Sequence, residues 1–268
     1  MAKVKHGSNI LLLDIETAYK KAAVWSPKQD YIAPNQMLSD FYVLCWSAKW
    51  IGDTYIYSDA LHYDKPRYKK DPTDDYSVLE TAWEMLDKAE YVVGHNMRNF
   101  DRKSLNARFI QQGMRPPSPY VVIDTLEIAR REFKFTYNRL DSLAIALGVG
   151  KKIGTGGLDL WKQIIEKQDI SAFNKMVKYC ENDVIINEAV YEVLRTWDTR
   201  HPNITIGDGD TRPKCNACGS RHITKQGLRR SITQFYQQYK CQDCGHWMRA
   251  ASAEKQDKES KQSKLRST

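Results

Sequence analysis

The sequence predicts an α/β domain over residues 1–197 with a compact cysteine module behind it at residues 214–249, and three observations carry that expectation. Short β-branched or aromatic runs alternate with helical patterns through the first region, the order expected where strands and helices share one core. Residues 198–213, DTRHPNITIGDGDTRP, are rich in Gly, Pro and Asp without a helical period, and read as a linker. Four of the six cysteines, Cys215, Cys218, Cys241 and Cys244, then fall within thirty positions.

Along the chain, the first region opens on a strand at Asn9–Ile15, whose aliphatic run Ile10–Leu13 leads into Asp14. Further strands are expected at Phe41–Ile51, Thr54–Ser58, Tyr91–Gly94 and Val121–Ile123, each rich in residues that fit a pleated, half-buried surface. Helices are expected at Tyr76–Lys88, Asp101–Gln112, Thr125–Glu132, Asn138–Leu147 and Ser171–Thr196. A domain of about 200 residues buries a substantial core without a metal or disulfide staple, so the clustered cysteines read as a local site. Between the first two strands, Ala18–Ser39 holds Trp25, Tyr31 and several lysines. It is either a loop that stacks on bases and contacts phosphates or a surface insertion packed by its own aromatics.

The net charge of +8 is unevenly placed: Pro213–Thr268 holds 12 Lys and Arg against 4 Asp and Glu, which leaves 29 against 29 in residues 1–212. That asymmetry points to an anionic partner, nucleic acid rather than membrane, because no amphipathic helix is evident in the basic region. Residues 250–268 contain no aromatic and one large aliphatic residue, too little to bury, and read as a disordered basic tail. The run Ile10–Leu13 is far short of a signal segment or membrane span, so a soluble, intracellular chain is expected. In a reducing compartment, paired CxxC motifs hold metal more often than they form disulfides.

Asp14 and Glu16 lie two residues apart in a strand, so both carboxylates face one side of the sheet and Ile15 the other. A buried acid needs a partner, and two acids behind four aliphatic residues are harder to dismiss than a DxE pair on a surface. In YVVGHNMRNFDRKSLNARF, Asp101 lies where a helix begins, a place where an acid is as often a cap or dipole partner as a site residue. In KMVKYCENDVIINEAV, Tyr179 and Asp183 lie four residues apart on one helical face; alone, the pair reads as a packed tyrosine and a solvated aspartate. Asp124, in VIDTLEIAR, reads as a helix N-cap.

Together, DIET at Asp14–Thr17, GHNMRNFD at Gly94–Asp101 and YCEND at Tyr179–Asp183 resemble, in order and spacing, the three motifs of the DEDD exonuclease superfamily over residues 9 to about 195. The tyrosine ahead of the last aspartate resembles the DEDDy branch; the histidine branch needs His where Lys178 stands. The resemblance implies a ribonuclease-H-like mixed sheet flanked by helices and a 3′→5′ exonuclease activity. It implies that Asp14, Glu16, Asp101 and Asp183 share two Mg²⁺ or Mn²⁺ ions and that Tyr179 hydrogen-bonds the attacking water. Thr17, His95, Asn96 and Phe100 would line the path of the terminal nucleotide, although His95 also reads as a strand-end hydrogen bond and Phe100 as a core aromatic. The chain as a whole resembles stand-alone exonucleases of phage and bacteria. That implies the cytoplasm of a bacterial cell or phage-infected host, and single-stranded nucleic acid as substrate, DNA ahead of RNA.

The chemistry explains the residue types. Four carboxylates within about 5 Å repel by roughly 3 kcal/mol per pair at an effective dielectric near 20, so they need cations. Hard oxygen ligands select Mg²⁺ or Mn²⁺, and two such ions about 4 Å apart suit an in-line displacement at phosphorus. A phenol with an ordinary pKa near 10 is a poor base at neutral pH, which excludes Tyr179 from that role.

Cys215-x-x-Cys218 and Cys241-x-x-Cys244, separated by 22 residues and each followed by Gly, fit a zinc ribbon with one structural Zn²⁺. Disulfides or an iron–sulfur cluster are the alternatives, and His222 and His246 are not expected as ligands. Between the pairs, Lys225, Arg229, Arg230 and Lys240 interleave with Phe235, Tyr236 and Tyr239. That pattern suits phosphate contact and base stacking, with some of the aromatics covering the small core. The module resembles zinc ribbons attached to phage and transposon nucleic-acid enzymes, which implies that it holds substrate or docks a replication or repair protein. Two other functions stay open. One is a 3′→5′ exoribonuclease, since nothing identifies a reader of the 2′-hydroxyl; the other is a catalytically inactive nucleic-acid-binding protein that acts through the ribbon.

Overall fold

The computed structural model describes residues 8–254 except 155, 208, 211 and 233, so the expected tail lies outside the described residues from 255 onward. The chain divides into two compact units, Asn9–Tyr191 and the segment from Glu192 onward together with Ser8.

The strands of the first unit are β1 (Ile10–Thr17), β2 (Lys21–Ala22), β3 (Met37–Ser39), β4 (Val43–Trp50), β5 (Tyr57–Ala60), β6 (Tyr91–Gly94) and β7 (Val121–Asp124). Its helices are α1 (Lys65–Lys70), α2 (Tyr76–Asp87), α3 (Asp101–Gln111), α4 (Thr125–Glu132), α5 (Leu140–Ala146), α6 (Leu158–Lys167) and most of α7 (Ile170–Leu194). Five strands form one mixed sheet in the order β5-β4-β1-β6-β7, and β2 and β3 make a separate hairpin. β1 runs antiparallel to β4 and parallel to β6, which leaves it at the centre. The α/β expectation is borne out, with helices flanking the mixed sheet.

A central strand is covered on both faces, and the run before Asp14 meets that demand: Leu11, Leu12 and Leu13 are at most 1% exposed. Each such side chain contributes roughly 1.5–3 kcal/mol of burial. Leu11 and Leu13 share one core cluster with Val43, Trp46, Leu79, Leu86, Phe109 and Phe173 from neighbouring elements, while Leu12 is buried on the other face. Gly94 ends β6 where a Cβ would lie 2.7 Å from Met97 Cβ and 3.2 Å from the Leu13 carbonyl oxygen, so no larger residue fits. Asp75, wholly buried, accepts hydrogen bonds from Val43 N, Arg108 and Gln112 and thereby ties α2, α3 and β4 together.

Several elements differ from expectation: the strand expected at Thr54–Ser58 lies at Tyr57–Ala60, and β2 and β3 arise where no strand is expected. α1 is six residues long, too short for a period to show, and starts on Lys-Pro with Asp64 accepting from Arg67 N. α6 follows a glycine-rich run that reads as loop, and Gly157 at φ 67° enters it in a conformation that favours glycine. It stops at left-handed Gln168, and Asp169 then caps α7 through Ser171 N and Ala172 N. In the Ala18–Ser39 stretch, Trp25 is 97% and Tyr31 70% exposed, so an insertion packed by its own aromatics is ruled out.

The second unit holds β8 (Ile223–Arg230), β9 (Phe235–Cys241) and β10 (Trp247–Arg249) in one antiparallel sheet ordered β10-β9-β8. The register slips between Lys225 and Leu228, where Gly227 at φ 77° supports a bulge. The described residues of 198–213 form neither helix nor strand, yet Ile204 is buried and its N–H meets the Asn216 carbonyl at 3.1 Å.

Candidate metal centres

The pleat of β1 leaves Asp14 and Glu16 half-buried on one side while Ile15 is buried on the other. α7 carries Tyr179 and Asp183 one turn apart, and Asp101 begins α3. Asp14, Glu16 and Asp183 each offer a carboxylate oxygen, and these oxygens lie within 4.8 Å of one another. Asp101 stands outside that trio: its Oδ1 accepts from Ile15 N at 3.2 Å, which fixes it against β1 between the two acids. Beneath them the Cys180 thiol lies 3.5 Å from Asp14 Oδ2.

Sequence reasoning missed one participant. Lys152, in the loop before α6, donates to Asp183 Oδ2 and, at 3.1 Å, to the Tyr179 hydroxyl. A lysine in a glycine-rich loop has no periodicity to mark it, and only the doubled Lys in GVGKKIGTGG hinted at a phosphate- or acid-facing position.

Burial raises the Asp14 carboxyl well above the usual carboxylate range, and the charges of Asp101, Glu16 and Asp183 add to the shift. Burial and the Asp183 charge push Glu16 up to about 8. Burial pushes Asp101 up to about 7 and also raises Asp183, against the pull of Lys152. For Lys152, burial favours the neutral amine, but Asp183 reverses this and holds the ammonium above the ordinary lysine range. Burial and Asp183 push Tyr179 up to about 12, so its hydroxyl stays a donor.

These shifts fix a sign. Glu16 has an ordinary value of 4.5 and about 8 in the fold, so between those values the folded chain keeps protons that the unfolded chain has released. Stability therefore falls as pH rises across that window when no divalent ion is present. The melting temperature is expected to drop from pH 5 to pH 8 without Mg²⁺ or Mn²⁺, and the slope to flatten when Mn²⁺ is added. A slope of opposite sign in thermal melts would contradict the crowding of these acids.

The donor set fits a hard divalent ion on two further grounds. Like charges 4.8 Å apart repel by roughly 3 kcal/mol at an effective dielectric near 20. Asp183 Oδ1 is buried without a hydrogen-bond partner, a costly state that a bound cation relieves.

The other expected residues cluster where β6 ends. Asp124 does cap α4, accepting from Leu126 N and Glu127 N, but it also accepts from Asn96 N and Arg98 N, each at 3.0 Å. It thus pins the 95–98 turn, in which Asn96 takes the left-handed φ of 67°. Asp124→Ala is expected to cost about 2 kcal/mol in urea unfolding, with Asp124→Asn recovering part. His95 Nε2 lies 3.0 Å from the Asn138 carbonyl, which only accepts, so the ring proton is on Nε2, and Nδ1 lies 3.0 Å from the Thr125 hydroxyl. Burial pushes its pKa down to about 4, and the ring is neutral at pH 7. Phe100 is 43% exposed, which rules out the core-aromatic alternative. Thr17 follows a bulge in β1, and its carbonyl accepts from Trp161 Nε1.

The four expected cysteines converge in the second unit, with all four sulfurs within 4.8 Å of one another and no disulfide. The Cys215–Cys244 and Cys218–Cys241 sulfur pairs are each 3.7 Å apart. A tetrahedron with metal–sulfur bonds near 2.3 Å has edges of about 3.8 Å, so the spacing suits zinc. Gly219 and Gly245, at φ 74° and 81°, close the two turns by donating to Cys215 O and Cys241 O. His222 and His246 spend Nδ1 on Asp243 and on the Thr196 carbonyl and lie outside the cluster.

Residues 50–195 match the family model of the RNase_H superfamily, a span that contains Asp101, Tyr179 and Asp183 and begins after Asp14 and Glu16. No curated protein matches the chain. Among solved structures, the family B DNA polymerase from the hyperthermophilic archaeon Pyrobaculum calidifontis is similar, with a TM-score of 0.51 and 14% identity. The match covers 71% of this chain and 25% of the polymerase, and likeness of that degree is one of fold. Among the described residues no helix is long and apolar enough to cross a membrane.

Proposed function

Since the chain belongs to the RNase_H superfamily, we propose that it is a two-metal-ion 3′→5′ exonuclease of the DEDDy type, acting on single-stranded nucleic acid, DNA ahead of RNA. The observation that carries this reading is the trio of carboxylate oxygens from β1 and α7 within 4.8 Å, one of whose residues, Asp183, keeps a buried oxygen without a partner. Asp14, Glu16, Asp101 and Asp183 would hold two Mg²⁺ or Mn²⁺ ions; when bound, these supply charge neutralisation at the scissile phosphate and make a neighbouring water more acidic.

The protein's own groups do the rest. Tyr179 donates a hydrogen bond that orients the attacking water. Lys152 holds Tyr179 and Asp183 together and offsets part of the negative charge. Asp101, fastened to Ile15 N, keeps its carboxylate beside β1. Thr17, Asn96 and Phe100 line the path of the terminal nucleotide, Phe100 offering its exposed ring to a base. His95 serves that path by joining the end of β6 to the Asn138 carbonyl ahead of α5. In this reading residues 1–197 form the hydrolytic domain and 198–213 a linker. Cys215, Cys218, Cys241 and Cys244 hold one structural Zn²⁺ in a ribbon that retains the strand, and the enzyme works in the cytoplasm of a bacterial cell or phage-infected host.

The direct test is digestion of matched single-stranded DNA and RNA carrying a 5′ label, with Mg²⁺, with Mn²⁺ and with neither. The expected result is a metal-dependent ladder that shortens from the 3′ end, faster on DNA. Absence of any metal-dependent product, or cuts inside strands whose 3′ ends are still intact, sinks the exonuclease; a faster ladder on RNA sinks the DNA preference alone.

A further inference from the structure

The sheet of the cysteine module has two unlike faces. Ile223 and Met248 pack on the cysteine cluster to which Cys241 belongs. Strand alternation and register turn Tyr236 and Lys240 of β9, Trp247 and Arg249 of β10, and Arg229 of β8 to the opposite side. Contacts across that side agree with the register: the Arg249 guanidinium lies 4.1 Å from the Tyr236 ring centroid, and Lys240 Nζ lies 5.7 Å from that of Trp247. Trp247 is 49% exposed, and Arg229 and Arg249 are exposed too.

Five residues thus present two planar rings and three cations, with no carboxylate among them. A module with a core this small gains most by burying its rings, so a half-exposed tryptophan beside cations favours a ligand that is both planar and anionic. Bases of a single strand offer the planes, and their phosphates the charge. A duplex hides its base faces and satisfies only the cations.

We propose that this face of the ribbon sheet is a single-strand binding site, with Tyr236 and Trp247 stacking on bases and Arg229, Lys240 and Arg249 meeting phosphates. It gives the strand-retaining role proposed for the ribbon a defined surface. The site stands on the ribbon's own geometry, so it survives or fails independently of hydrolysis.

The experiment measures binding of labelled oligo(dT) and oligo(U) by fluorescence anisotropy across a salt series, using the zinc-loaded full chain with Asp14→Ala to prevent digestion. Trp247→Ala and Tyr236→Ala are each expected to weaken binding about tenfold with the salt slope unchanged. Lys240→Gln combined with Arg249→Gln is expected to reduce the slope of log affinity against log salt by about 1.4, roughly 0.7 for each phosphate that is no longer neutralised. Trp247→Phe, which keeps a ring, should bind within about threefold of the parent. Zinc content reports whether each variant is folded; if Trp247→Ala loses zinc, the charge pair decides. Variants that retain zinc and bind both oligonucleotides as the parent does would overturn the proposal and leave this face to a protein partner. Displacement of the strand by duplex at equal concentration would overturn it as well. The oligo(dT) and oligo(U) arms separate a DNA-holding face from an RNA-holding one.

Discussion

Asp14→Ala and Asp183→Asn are each expected to slow metal-dependent hydrolysis from the 3′ end by at least about a thousandfold, or roughly 4 kcal/mol of transition-state stabilisation. The two residues come from β1 and α7 and share the group of oxygens within 4.8 Å, so either change removes one of the few ligands available. A merely structural role predicts a parallel loss of stability. The opposite is expected here: both carboxyls are pushed up by burial, so deleting one relieves the folded chain at neutral pH. Without divalent ions the variants should melt at or above the parent's temperature. A variant that keeps a rate within tenfold of the parent, or that loses rate only as it loses fold, would falsify the assignment.

Removing the metal from the cysteine cluster is expected to unfold the ribbon outright while the five-stranded sheet persists. Among the described residues the cluster's buried members are Cys215, Ala217, Cys218 and Cys241, with Ile223, Cys244 and Met248 packed against them, too little apolar surface to hold three strands. Structural zinc sites of this kind contribute about 10–16 kcal/mol, which is then the folding energy of the module. A strong chelator, or Cys218→Ser, should release one zinc per chain and expose β8–β10 to protease within minutes. A ribbon that stays resistant after its metal is gone, or a purified chain that carries no zinc, would set this account aside.

How much was legible in the sequence varies with the physics of each feature. β1 declared itself because a central strand must be aliphatic on both faces, so Asp14 and Glu16 interrupt a pattern that burial otherwise enforces. α7 was legible from its period, and with it the pairing of Tyr179 and Asp183. The cysteines were legible because ligand spacing is local. Contacts between distant segments were not: nothing in the chain announces that Asp101 fastens to Ile15 N, 86 positions away, or that Lys152 reaches Asp183. Asp124 was legible as a cap and illegible as the anchor of the 95–98 turn, for the same reason. α1 and α6 escaped because proline, glycine and short length erase the period that marks a helix.

The acids that crowd together in the folded unit are spread from position 14 to position 183 of the chain. A ribosome therefore has nearly finished the first unit before the last of them emerges, and until α7 docks on β1 the growing polypeptide has no assembled cluster. Biosynthesis supplies its own safety catch: a product truncated before Asp183 lacks the assembled acids.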